Sequence, residues 1–133
     1  MKKYAQLQMA MLLRRLVFQL SRAARARGPE AVHDLRVAIR RFSRALRTFE
    51  PFAGREPARR IRRKLRGLMR LAGRVRDRDM ALELLSAAGL APRARPMVAL
   101  RRERAAAGET LAAEIGRWNR RGTAPKWRAR LEL

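Results

Sequence analysis

The chain has 133 residues, which suffices for one domain with one modest core and falls short of two. Its hydrophobic content of 47% excludes a disordered polyelectrolyte, yet 34 Lys and Arg against 11 Asp and Glu leave a formal charge of +23 at pH 7. The absence of cysteine excludes a disulfide framework, a zinc ribbon and a thiol nucleophile, and fits a reducing compartment.

Leu7, Met11, Leu16 and Leu20, with Val17 and Phe18 beside them, recur at helical spacing and predict a first helix over about residues 3–26, ended by Gly28-Pro29. Arg14 and Arg15 interrupt its apolar run before it reaches signal-peptide or membrane-spanning length, so neither export nor a membrane partner is expected. The basic, acid-free stretch before Glu30 superficially resembles a mitochondrial presequence, and is read instead as the first helix of the fold. From Pro29 the period restarts through Val32, Leu35, Ile39, Phe42, Leu46 and Phe49 and stops at Pro51, which predicts a second helix. A loop carrying Pro51, Gly54 and Pro57 then leads to a third helix with Ile61, Leu65, Leu68, Ala72 and Val75 on one face. Asp79 is placed to cap a short fourth helix with Leu82 and Leu85, closed by Gly89 and Pro92. After Pro96, Met97, Leu100, Leu111, Ile115 and Trp118 predict a last long helix reaching Gly122, with a weak stripe at Ala105–Gly108. No period-two alternation and no hairpin dipeptide occurs. The expected fold is all-α, an antiparallel bundle of four to five helices over residues 1–121, followed by a basic tail at 122–133.

So many like charges repel one another in the compact state, which points to a partner that screens them. Thirty of the basic residues are arginine, whose planar fork holds two phosphate oxygens at once where lysine offers a point charge. At about 100° per residue, His33, Arg36, Arg40, Arg44 and Arg47 gather within an arc of about 80° on the second helix. Arg59, Arg62, Arg63, Arg66, Arg70 and Arg74 repeat the arrangement on the third. If the two helices pack antiparallel, these rows border one groove, with successive arginines about 6 Å apart along each row. A repeated donor array of that kind suits a linear polyanion. A solvated helix face is the ordinary reading of a charge run, but like charges at steps of three and four repel, and few acids relieve them here.

His33 is the only histidine, too few ligands for a zinc site, and is read either as an anion contact or as a helix-entry residue bonded to a neighbour. The run Arg76-Asp77-Arg78-Asp79 invites a magnesium reading, but the interleaved arginines favour an ion pair at Asp77 and a cap at Asp79. No metal and no cofactor is expected. Nucleic acid is the competing ligand, since a basic stripe is the footprint of any phosphate-backbone binder. Yet only seven aromatic residues are present, Phe42 and Phe49 fall on core positions, and no Walker loop, dinucleotide glycine pattern or zinc-finger spacing occurs. An enzyme acting on phosphoanhydrides is the third reading, with Asp77, Asp79 and His33 as its only candidate catalytic groups.

The residues Ala31-Val32-His33-Asp34-Leu35-Arg36-Val37-Ala38-Ile39-Arg40-Arg41-Phe42 resemble the signature of the CHAD family, the conserved histidine alpha-helical domain. Leu68-Met69-Arg70-Leu71-Ala72-Gly73-Arg74-Val75-Arg76-Asp77-Arg78-Asp79-Met80 resembles that family's second motif, a Leu-rich helix ending in Gly and then Arg-Asp-x-Asp with an aliphatic residue. The resemblance covers about residues 5–90 well and the final helix only by position. It implies a helical bundle whose basic surface binds inorganic polyphosphate in the cytoplasm, in association with polyphosphate granules, without catalysis. His33, Arg36, Arg40 and Arg41 would occupy the basic motif positions. Ser43 stands where the family often has another arginine, so the resemblance leaves Arg44 or Arg47 to supply that contact. A typical member has two such helical halves; the expectation here is one half, either completed by a homodimer, which is favoured, or acting as a truncated and weaker binder. The family's Glu-x-Glu-x-Lys triphosphatase motif does not occur in this chain.

Overall fold

The computed structural model of the chain describes residues 1–26 and 28–133. Its elements are α1 (Lys2–Arg25), α2 (Pro29–Thr48), the single turn α3 (Glu50–Ala53), α4 (Arg55–Ala87), α5 (Arg95–Arg120) and α6 (Thr123–Arg130). The described residues contain no strand, and the fold is all-α, a helical bundle. Pro29 starts α2, where its missing N–H and fixed φ fit a first helical turn, after an extended Gly28. Gly54 makes the corner between α3 and α4 at φ +91°, a conformation that a side chain rarely tolerates. The four long helices pack as a ring in which α1 meets α2, α2 meets α4, α4 meets α5 and α5 returns to α1.

Apolar residues at steps of three and four supply the shared interior. Met9, Leu13, Leu16 and Leu20 of α1 meet Leu35, Ile39, Phe42 and Leu46 of α2, Ile61, Leu65, Leu68 and Val75 of α4, and Leu111, Ile115 and Trp118 of α5, all buried in one cluster. Each fully buried side chain of this size contributes about 1.5–3 kcal/mol. No helix is long and apolar enough to cross a membrane among the described residues.

The separate third and fourth helices of the sequence reading are one helix, α4, about 50 Å long. Between Pro57, in the first turn, and Ala87 there is no proline, and burial of Ile61, Leu65, Leu68, Ala72 and Val75 carries the helix through Gly67 and Gly73. Asp79 is therefore not a cap. Its Oδ1 accepts a 3.0 Å hydrogen bond from Arg104 Nε, which ties α4 to α5 through an almost buried carboxylate. The expected loop at Pro51–Pro57 contains α3, with Pro51 in its first turn.

The expected basic tail at 122–133 is also revised. Gly122, left-handed at φ +61°, turns the chain into α6, which presents Trp127, only 2% exposed, and Leu131 follows it into the core. The Trp127 ring lies 6.1 Å from that of Phe42 and 5.8 Å from that of Trp118, the latter edge to face, a favourable arrangement for aromatic quadrupoles. Lys2 reaches Glu132 at 3.2 Å and pins the end of the chain to α1.

Two outcomes follow. Trp127→Ala is expected to destabilise the fold by about 3–5 kcal/mol in urea denaturation, whereas a solvated tail would limit the change to about 0.5 kcal/mol. Asp79→Ala leaves the Arg104 guanidinium buried without its partner and is expected to cost about 3 kcal/mol, against about 1 kcal/mol for a lost helix cap. Pairing it with Arg104→Met should recover much of that loss, as equilibrium unfolding of the double variant would show.

Candidate anion-binding site

The basic arcs of α2 and α4 project on the sides of these helices turned away from the core, and they approach one another where the two helices pack. There they border a groove of about 230 Å³, lined by Ile39, Arg40, Ser43, Arg44 and Arg47 from α2 and by Leu65, Arg66 and Met69 from α4. Its walls are guanidinium forks and its floor is aliphatic. The four arginines form no ion pair with any described acid, and no carboxylate lines the groove. Arg40, Arg44, Arg47 and Arg66 are all exposed, so their charges remain hydrated and available.

The other predicted arginines divide around this groove. Arg41 lies on the far flank of α2, in a shallow depression with Val37, Arg40 and Arg44. Arg62 is turned inward and pairs with Glu50 at 3.5 Å, which also draws Arg55 to 3.9 Å. Arg70 and Arg74 line a separate cleft between α4 and α5, together with Lys64, Gly67, Leu68, Leu71 and Glu114. Arg59 and Arg63 are exposed on α4 and line neither. His33 is exposed in the second turn of α2, and no hydrogen bond ties it to another described residue.

Arg36 differs from its neighbours on the stripe. It is half-buried, and its Nε is fully buried without a hydrogen-bond partner. Burial, followed by the charge of Arg40, holds this guanidinium below its ordinary pKa; Asp77 opposes the shift and Arg76 adds to it. Asp77 thus acts on Arg36 through space, and forms no ion pair within 4.0 Å among the described residues. Among those residues there is no cluster of three or more His, Cys, Asp or Glu that could hold a metal ion.

Three features of the site escape sequence reasoning. Ser43 and Met69 lie on the edges of the helical wheels and become lining residues only through the angle at which α2 and α4 pack. Glu50 removes Arg62 from the free cations through a turn too short to read in advance. Asp34, inside the first motif, accepts a 2.6 Å hydrogen bond from Arg22 Nη1 and joins α2 to α1; an acid beside an apolar stripe was the only available signal.

No curated protein and no solved structure matches the chain. Residues 8–132 match the family model described as CHAD domain, a span that takes in α5 and α6 as well as the two motifs on α2 and α4. With nearly the whole chain matched, this protein belongs to the CHAD domain family.

Proposed function

We propose that this protein is a binding module for inorganic polyphosphate, which it holds without chemical conversion in the groove between α2 and α4. The observation that carries the reading is the ring of Arg40, Arg44, Arg47 and Arg66 around one groove that contains no carboxylate. Along α2 these arginines recur at steps of one helical turn, about 5–6 Å, so each fork can take oxygens from successive parts of a phosphate chain. Ser43 adds a hydroxyl between them. A chain leaving the groove would pass on to Arg36, Arg41 and His33 on α2 and to the exposed Arg59 and Arg63 on α4, while Arg70 and Arg74, in the separate cleft between α4 and α5, would meet only a chain that crosses α4. Membership of the CHAD family supports the same ligand, and association with polyphosphate granules in the cytoplasm is part of this proposal.

Nucleic acid offers the same charge but adds bases, which need flat platforms. The groove has no aromatic lining residue, and stacking contributes about 1–3 kcal/mol per base where platforms exist. Polyphosphate is therefore expected to displace single-stranded and duplex DNA at equal salt and equal phosphate concentration, measured by fluorescence anisotropy. Tighter binding of DNA would overturn the reading.

The site itself is tested by two double variants that remove the same number of charges. Arg40→Ala with Arg44→Ala is expected to weaken polyphosphate binding about tenfold or more, and to flatten the dependence of log K on log salt because fewer counterions are released. Arg70→Ala with Arg74→Ala should have a clearly smaller effect. Equal losses from the two pairs would show that net charge, and not the groove, holds the ligand.

A further inference from the structure

We propose that the outward face of α1 is the contact surface of a twofold dimer of this chain, with the symmetry axis crossing the helix at Met11. Tyr4, Leu7, Met11 and Phe18 are 55%, 63%, 51% and 62% exposed, and at 100° per residue they fall within an arc of about 60°. One face of one helix thus leaves four large apolar side chains more than half exposed, Tyr4 also meeting Phe49 edge to face at 6.2 Å, although α1 buries Ala5, Met9, Leu13, Leu16 and Leu20 on its other side. A row of apolar residues with a basic border marks a contact surface more often than a solvated face.

The order of residues in the row selects its occupant. When a second α1 lies antiparallel with Met11 on the axis, each residue faces those of the copy that lie about equally far on the other side of Met11 and on the same flank of the helix. Tyr4, seven residues before it, meets the second copy's Phe18, seven residues after it. Leu7 meets the aliphatic stem of Arg14, and Gln8 meets Arg15, whose guanidinium can donate to the carboxamide oxygen. No cation opposes another cation, which matters because α1 has no acid of its own. A parallel pair would set Arg14 and Arg15 against themselves. Arg22, on the same side of the helix, is already paired with Asp34. The row is therefore complementary to itself in one register, the property that a twofold interface requires.

Such a contact is small beside a standard interface of about 800 Å² per partner, and two copies each carrying +23 repel. The dimer should be weak at low salt and strengthen as salt screens that repulsion. Polyanion binding should respond to salt in the opposite direction. The contact takes no residue from the groove between α2 and α4, so the inference stands apart from the proposed ligand.

Because the chain has no cysteine, single cysteines report the axis directly. Antiparallel helices about 8–10 Å apart bring residues on the axis within disulfide reach, whereas residues four positions from it are separated from their own copies by about 12 Å along the helix. In mild oxidant, Met11→Cys is expected to cross-link to a dimer about tenfold faster or more than Leu7→Cys. A mixture of Leu7→Cys with Arg14→Cys should yield the mixed dimer. Sedimentation equilibrium of the unmodified chain should show the average mass rising between about 0.05 and 0.5 M salt. Equal rates for Met11→Cys and Leu7→Cys, or a monomer at every salt concentration, would overturn the proposal. All three positions are exposed, so a failure to cross-link reads as absence of the contact and not as a failure to fold.

Discussion

Repulsion among its own arginines is the constraint on which the rest of this structure depends. With 34 basic residues and 11 acids, the chain cannot neutralise itself, and where the acids go decides which parts of the bundle hold together electrostatically. Five of them go to particular seams. Asp34 holds Arg22 between α1 and α2; Glu50 holds Arg62 and Arg55 at the turn into α4; Asp79 and Glu103 hold Arg104 and Arg78 between α4 and α5; Glu132 holds Lys2 between the end of the chain and α1. Between α2 and α4 no ion pair occurs among the described residues.

That seam is held from beneath by Ile39, Phe42, Leu46, Leu65 and Leu68, while its upper edge carries arginines alone. The arrangement is tolerable because Arg40, Arg44, Arg47 and Arg66 keep their heads in water, where screening over about 8–10 Å weakens their mutual repulsion. Arg36 is the exception. Sunk deeper, with a buried Nε that bonds to nothing in the described chain, it bears a desolvation penalty that Asp77 relieves only through space. A guanidinium stays charged inside a protein. The fold therefore retains a partly buried cation at one end of a row of free ones, and an anion laid along α2 would supply the partner it lacks.

Those parts of the molecule governed by periodicity were legible in the sequence. The steps from Val32 to Leu46 predicted both the buried face of α2 and the arginine arc opposite it, because a single helix fixes both at once. What could not be read were contacts between residues distant in the chain. Asp79 looked like a cap because it follows a charged run and precedes Leu82 and Leu85; its partner, Arg104, stands 25 residues further on. Trp127 looked solvated because its neighbours are Lys126 and Arg128, yet the slot that receives it is made by Phe42 and Trp118 from two other helices. The arginine rows show the same limit within the site. The wheel of α4 placed Arg66, Arg70 and Arg74 on one arc, and the packing of α4 between α2 and α5 then assigned Arg66 to one cleft and Arg70 and Arg74 to another.

The distribution of acids also couples stability to ligand. Any species that binds the folded chain and not the unfolded one shifts folding in its favour, but here the gain has a location. The seams of α1 with α2 and of α4 with α5 are tied by ion pairs whether or not a ligand is present. The approach of α2 to α4 has no such tie among the described residues, so an anion bound between Arg40, Arg44, Arg47 and Arg66 would lower the local work of holding these helices together. On the proposed reading, a composition that looks wasteful for a small domain gathers like charge at one seam, where a bound anion would relieve it.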